Sequence, residues 1–331
     1  MSETMAQPFT VSRDVTLQIN LCAGDVGYAR QTVPRLVAAH PQVAARLAVV
    51  DCCRPQRTRI FDPDARMPLD RFGPRLAEIR ALAEQFRRQG LFDRVEYLLP
   101  QDARFAALAR RYVRPWMTET HDYGGCAFMA YWAMLDFPTA RFVLHYDADL
   151  LLHTAAGFDW AADALSVWSA QPEVLAASPR IAPPGFARTP AEDAPSLHEG
   201  RPTVRVAGGW LNDWFSTRCF LFDRERLAPH LPLVRGLEAW ELRLRRWIDR
   251  GYPPGPEQLL FRQLGSRGQR CLHLATERAW LLHPTRKNAE FLTLLPQMLD
   301  SIARGEVPPE QRGYADLRLD AWQTFLNRST S

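Results

Sequence analysis

Lysine is almost missing from this sequence: of 41 basic residues in a chain of 331, Lys287 is the single lysine and the other 40 are arginines. Arginine presents a planar fork that pairs carboxylates and phosphates in bidentate fashion, so the bias admits phosphate chemistry or nucleic acid. The arginines, however, are spread from Arg13 to Arg328 among 37 acids, for a formal net charge of +4, and form no stripe interleaved with aromatics. That dispersal argues against a nucleic-acid partner and fits coding bias on a solvated surface. The chain also lacks an apolar run of the roughly 18 residues that a membrane span needs. Its most apolar stretch, 126–135, stops at Asp136, and residues 1–18 carry no basic-then-apolar leader, so the expected location is the cytoplasm. The six cysteines (Cys22, Cys52, Cys53, Cys126, Cys219, Cys271) show no C-x-x-C spacing and no companion histidine cluster, which speaks for reduced, mostly buried thiols rather than disulfides or a zinc site. With 47% hydrophobic and 24% charged residues, disorder, collagen-like repetition and a disulfide miniprotein are excluded.

What is present is an alternation of apolar runs and amphipathic stretches, with no internal repeat. Strands are expected at 15–22, 47–50, 94–99, 141–146, 174–178 and 217–222. Helices are expected from Thr32 to His40 and at 74–89, 103–112, 126–135, 159–169, 237–250, 256–264, 291–302 and 317–326. This order implies an α/β fold, a mainly parallel sheet flanked by helices, either as one unit with additions or as two domains. In open sheets of that kind ligands sit outside the carboxyl ends of the strands. Asp25, Asp51 and Asp147 each follow the end of an expected strand, so three carboxylates are expected to converge on one edge. Residues 181–202 form a proline-rich, strand-poor insert.

Asp147-Ala148-Asp149 places hard oxygen ligands two residues apart, the arrangement that lets both reach a Mg²⁺ or Mn²⁺ ion carrying phosphate oxygens. The triplet alone is weak: 21 aspartates give roughly 1.3 such triplets by chance, and the chain has two. Asp62-Pro63-Asp64 is the control, an acid pair around a proline in an irregular stretch, read as a solvated turn. Asp147 and Asp149 differ because a strand runs into them and the apolar run 150–152 follows. Acids between apolar segments are costly to bury without a cation or a donor cluster, although two acids capping a strand in water remain an alternative.

Three further features carry chemistry. Tyr123-Gly124-Gly125 precedes an expected helix, where backbone N–H groups can face a pyrophosphate; otherwise the glycines only make a turn. Trp210, Asp213 and Trp214 follow Gly208-Gly209, aromatic faces beside a carboxylate that suit a sugar ring or, equally, a core. Along 237–247, Leu237, Trp240, Leu244 and Trp247 recur at heptad spacing beside Arg243, Arg245 and Arg246. Such a face either rests weakly on an acidic membrane surface or packs against the sheet, and packing is favoured.

Residues 120–152 (THDYGGCAFMAYWAMLDFPTARFVLHYDADLLL) resemble the middle of a GT-A glycosyltransferase of the kind grouped in glycosyltransferase family 2. The resemblance follows the order of elements from about 15 to 290 and is sharp letter by letter only around Asp147. It implies a GT-A type fold over 10–290, with a nucleotide-binding half (15–150), an acceptor half (151–290) and a C-terminal helical extension (291–331). It further implies donor contacts at Asp25, Asp51, Gly124, Gly125 and Asp147, and a metal, Mn²⁺ or Mg²⁺, on Asp147, Asp149 and His283. An imidazole ligand would favour manganese, while His283 before Pro284 also suits a turn cap. Gly208, Gly209, Trp210 and Trp214 would lie toward the acceptor. The expected activity is transfer of a sugar from a UDP- or GDP-sugar to a hydroxyl acceptor, with Arg54, Arg57 or Arg286 near the donor.

One position departs from the family pattern. The second acid of the helix-start pair, the general base of inverting members, is replaced by Gln258, and an amide takes no useful proton at neutral pH. Glu257 or Asp213 supplies the base, or the enzyme retains configuration and needs none. The plain alternative for Glu257 is a helix N-terminal acid, stabilising by about 0.3–1 kcal/mol. Two rivals stay open: a phosphohydrolase with Asp147 as nucleophile, and a sugar-nucleotide binding protein without catalysis.

Overall fold

The computed structural model describes residues 9–168, 171–185, 203–247 and 253–329. Much of the insert 181–202, and the C-terminal end of the helix expected at 237–250, lie outside the described residues. The strands are β1 (Val15–Cys22), β2 (Ala45–Asp51), β3 (Arg94–Leu98), β4 (Phe142–Asp147), β5 (Leu151–Thr154), β6 (Val174–Ser178), β7 (Val204–Val206), β8 (Gly209–Asn212), β9 (Cys219–Asp223), β10 (Arg270–Leu274) and β11 (Ala279–Leu282). The longer helices are α1 (Ala29–Ala38), α2 (Leu69–Arg88), α3 (Arg104–Tyr112), α4 (Met129–Asp136), α5 (Trp160–Trp168), α6 (Gly236–Trp247), α7 (Pro256–Leu264), α8 (Ala289–Ala303) and α9 (Leu319–Ser329).

Nine strands form one sheet in the order β3-β2-β1-β4-β9-β6-β10-β8-β7. The first four are mutually parallel, as expected, and β9 and β8 run against the other seven, so the sheet is mixed with most strands in one direction. Alternate side chains of each strand feed opposite faces. Leu17, Ile19, Leu144 and Leu221 join one cluster with α1, α2, α5, α8 and α9, whereas Val49, Phe220 and Phe222 join another with α3, α4 and α7. β6, buried throughout, reads as a short apolar run, while β1 is buried on both faces although Thr16, Gln18 and Asn20 alternate with its apolar residues; both have the bounds that their sequences suggest.

The departures have local causes. α2 begins at Leu69, before Pro74, and α1 holds Pro34 in its interior, so neither proline marks a first turn. α4 begins at Met129 rather than at Cys126: the Cys126 N–H is donated to the Asp122 carboxylate and those of Phe128 and Met129 to the Thr120 carbonyl. β5, β7, β8, β10 and β11 span three to five residues each and give no periodicity to detect. The C-terminal helices are integral to the body: Phe291, Leu295, Met298 and Trp322 are fully buried in the same cluster as β1 and β4.

This topology assembles one edge. In register, Cys22 lies opposite Asp51 and Asn20 opposite Asp147, so the residues that leave β1, β2 and β4 emerge together. Beyond β4 the chain pairs again: β5 and β11 form an antiparallel ladder in which Leu151 faces Leu282. Asp149, just before β5, therefore meets the segment that leaves β11 at His283.

Candidate active site

Asp147 terminates β4 with its carboxylate accepting the Tyr131 hydroxyl at 2.9 Å on both oxygens, and His145 Nε2 lies 3.2 Å from Oδ1. Asp149 is buried, 7% exposed, and its two oxygens differ. Oδ2 pairs with the Lys287 ammonium and lies 3.8 Å from His283 Nε2. Oδ1 has no hydrogen-bond partner among the described residues. Burial works against the charge on Lys287, but Asp149, with Asp25 and Asp147 adding, holds its pKa above the ordinary lysine value. His283 is shifted the other way, chiefly by burial and then by Arg218, so its imidazole is biased toward the neutral form that ligates metals. Its Nδ1 lies 3.3 Å from Asp316 Oδ1, which orients the ring.

The chemistry of this donor set suits a divalent cation in kind: two carboxylates, one with a buried unpartnered oxygen, and an imidazole. Among the described residues no three of His, Cys, Asp and Glu are gathered closely enough to hold an ion alone. An ion would therefore take further ligands from substrate and water, and would compete with Lys287 for Asp149.

Asp25 and Asp51 lie on the same edge. Asp25 follows β1 in a short 3₁₀ turn, accepting the Cys22 N–H at 2.7 Å and the Tyr28 hydroxyl. Burial, with the Asp149 charge adding to it, pushes its pKa up to about 6 against the pull of those two donors. Asp51 is 4% exposed, accepts the Cys53 N–H at 2.9 Å, and lies 3.7 Å from His121 Nε2. Desolvation drives this pair toward neutrality, Asp51 up to about 7 and His121 down to about 4.

The glycine loop is built differently from the expectation. The N–H groups of Gly124 and Gly125 are donated to Asp122, to Oδ1 at 2.8 Å and to the carbonyl at 3.1 Å, and α4 starts four residues later. They are committed to a turn and do not point at a phosphate site. Gly125 has φ +77, and a Cβ there would come within 2.6 Å of the Phe61 ring, so only glycine fits. Phe61 belongs to the loop of the control acids. Asp62 caps a single helical turn through Asp64 N–H at 2.9 Å, and both acids pair with Arg57 while Asp64 also pairs with Arg54. Two of the three arginines singled out for the donor are thus engaged in holding this loop, and the expected solvated turn is present, its acids 44% and 57% exposed and clamped by arginine. Arg286, the third, is exposed in the segment after β11.

A cavity of about 560 Å³ begins at Leu150 and His283, beside the acid pair but lined by neither acid, and includes Trp214, Arg218, Glu257, Tyr314 and Asp316 in its wall. Glu257 opens α7 and accepts the Trp214 indole N–H; burial raises its pKa, Arg218 and Trp214 oppose the shift, and Asp147 adds to it. Gln258 faces away from this role, donating to the Tyr123 hydroxyl at 3.1 Å. Asp213 does not line the cavity. Gly208 and Gly209 turn β7 into β8 at the far edge of the sheet, where a Cβ on Gly209 would lie 2.2 Å from the His273 carbonyl. Trp210 is buried there, with the guanidinium of Arg205 4.6 Å from its ring, and none of these three lines the cavity. Of the acceptor-side group only Trp214 does.

Sequence reasoning missed Lys287, Arg218, Tyr131 and Asp316. Lys287 alone carried a signal, as the one lysine of the chain, four residues after His283.

No family model matches the chain, and no curated protein does. Among solved structures the chain is similar to the galactosyltransferase LgtC in complex with donor and acceptor sugar analogues, at 11% identity and a TM-score of 0.36, over 90% of this chain and 99% of that one. An active-site mutant of LgtC is similar at 12% identity and a TM-score of 0.35, over the same 90% and 99%. A superposition this loose gives no residue-by-residue correspondence.

Proposed function

We propose that the chain is a GT-A type glycosyltransferase that moves a sugar from a nucleotide-diphosphate donor, UDP- or GDP-linked, to a hydroxyl acceptor. One observation carries this reading: an Asp-x-Asp pair leaves a parallel strand at the ligand edge of the sheet, one Asp149 oxygen is buried with no hydrogen-bond partner among the described residues, and a cavity begins at the neighbouring Leu150 and His283. Asp51 is suited to the base or ribose, since a buried carboxyl with its pKa pushed up to about 7 keeps a proton on part of the population near neutrality and can then donate as well as accept. Asp25 and Tyr28 support the donor side.

Asp149, with Asp147 and His283, would hold Mn²⁺ or Mg²⁺, and such an ion supplies positive charge to the departing diphosphate. Lys287 contributes a permanent cation at the same place. Glu257 is the group that accepts the acceptor proton: it is half-buried, lines the cavity, and is aimed by the Trp214 indole. The phosphohydrolase alternative is disfavoured by Asp147, both of whose oxygens accept the Tyr131 hydroxyl.

A thermal-shift screen of UDP, GDP and their sugars with and without Mn²⁺ tests the reading. Stabilisation that needs nucleotide and metal together, and that is lost in Asp149→Ala together with donor consumption, supports it, because ligands stabilise only the state that binds them. Near-normal turnover in Asp149→Ala, or phosphate release from monoesters without a nucleotide sugar, overturns it.

A further inference from the structure

α6 turns its apolar residues outward. Leu237, Trp240, Leu244 and Trp247 are 88%, 71%, 57% and 83% exposed. Their spacing puts all four on one stripe of the helix. The packing expected from the sequence is therefore not what holds α6. It is anchored instead by Leu242, the buried residue of the helix. Arg246 donates to the Trp116 carbonyl and pairs with Glu119 at 2.8 Å. Glu238 meets Arg262 and Gln263 of α7. The helix is thus seated by one face and leaves a second, tryptophan-bearing face uncovered by any described residue.

That face is charged in a particular way. A shallow groove beside Trp240 is lined by Arg114, Pro115, Trp116 and Arg243. Arg243 makes no ion pair among the described residues, whereas on the other side of the stripe Arg245 neutralises Glu241 at 2.5 Å. Tryptophan combines an apolar body with a polar N–H, and such a stripe edged by guanidinium suits the boundary between headgroups and acyl chains. A second copy of the chain is a poorer match, because a two-fold contact sets the same arginine-edged patch against itself. Anionic headgroups complement both components at once.

We propose that α6 docks the protein on the surface of a bilayer containing anionic lipid, with Trp240 and Trp247 in the interface and Arg114 and Arg243 on lipid phosphates. This goes beyond the sugar-transfer reading and is independent of it.

The test is co-sedimentation of the full chain with vesicles of phosphatidylcholine alone and of phosphatidylcholine with phosphatidylglycerol. Binding to the anionic vesicles that weakens as salt rises is the expected result. The double variant Trp240→Ser, Trp247→Ser should lose at least tenfold in partitioning at an unchanged Tm, since both side chains are exposed. Arg114→Gln with Arg243→Gln should abolish the preference for anionic vesicles. Absence of binding by the natural chain, or equal binding to both vesicle types, overturns the proposal. So does a dimer by light scattering that the tryptophan substitutions dissociate, which would make the face a self-interface.

Discussion

The ammonium of Lys287 rests on the carboxylate of Asp149, so the second acid of the Asp-x-Asp pair carries a built-in counter-charge on one oxygen, and beside it an oxygen without a hydrogen-bond partner among the described residues. The β5–β11 ladder produces this contact by returning the chain to the acid pair immediately before His283.

Lys287→Met removes the counter-charge and leaves a buried carboxylate without it. The loss should be about 1–3 kcal/mol in EDTA, below the usual cost of breaking a buried pair because the lysine side chain is 35% exposed. Mn²⁺ should then raise Tm more in the variant than in the natural chain, as the ion no longer competes with an ammonium. Equal metal-induced shifts in the two proteins would refute competition at Asp149.

Glu257→Gln should lower kcat by about 10²–10⁴-fold, the usual range for losing a general base. In the natural chain the acid limb of kcat/KM should lie above the ordinary carboxylate range, because burial raises the Glu257 pKa and the base works only when deprotonated. Arg218→Gln should move that limb higher, since Arg218 holds the pKa down. A limb unmoved by Arg218→Gln and unaffected by Glu257→Gln would assign the base elsewhere.

Asp51 and His121 should impose opposite pH dependences on stability. Asp51, raised to about 7, keeps its proton in the folded state where the unfolded chain has released it. Its contribution is complete below pH 3.8 and is lost as pH rises through about 7. His121, lowered to about 4, is neutral in the folded state where the unfolded chain is protonated. Its contribution is complete above pH 6.5 and is lost as pH falls through about 4. The two slopes offset each other in the natural chain. Urea titrations from pH 4 to 7 should therefore show stability rising with pH in Asp51→Asn and falling with pH in His121→Gln. Parallel curves for both variants would show that the pair is not buried as described.

Gly125→Ala should destabilise by about 1–3 kcal/mol, through the left-handed backbone and the encounter with Phe61. Adding Phe61→Ala should recover the steric part and leave the backbone part, which denaturant midpoints of the single and double variants separate. An additive double variant would mean that the ring yields freely.

The parallel half of the sheet was legible because β1, β2 and β4 are largely buried and run into punctuation at Cys22, Asp51 and Asp147, two of these strands ending in an acid. The same context separated Asp147 and Asp149 from Asp62 and Asp64. What was not legible depends on pairing across long stretches of chain. β5 and β11 are four residues each, too short to announce themselves, yet their register brings His283 and Lys287 to Asp149. Gly208, Gly209 and Trp210 looked like a sugar-facing loop, but the close approach of β8 to β10 explains the glycine and buries the tryptophan. The stripe on α6 had the right period for packing but finds no partner among the described residues, a matter that periodicity alone does not decide.

A chain with one lysine has one side-chain amine, and here that amine stands at the acid pair. Amine-directed acylation of the side chains of these 331 residues is consequently a single-address reaction. It is slowed by a pKa held above the ordinary lysine value, and anything that draws Asp149 away from the ammonium changes how fast it proceeds. The scarcity that marks the composition thus makes position 287 a native chemical handle on the state of the site, with no engineered residue required.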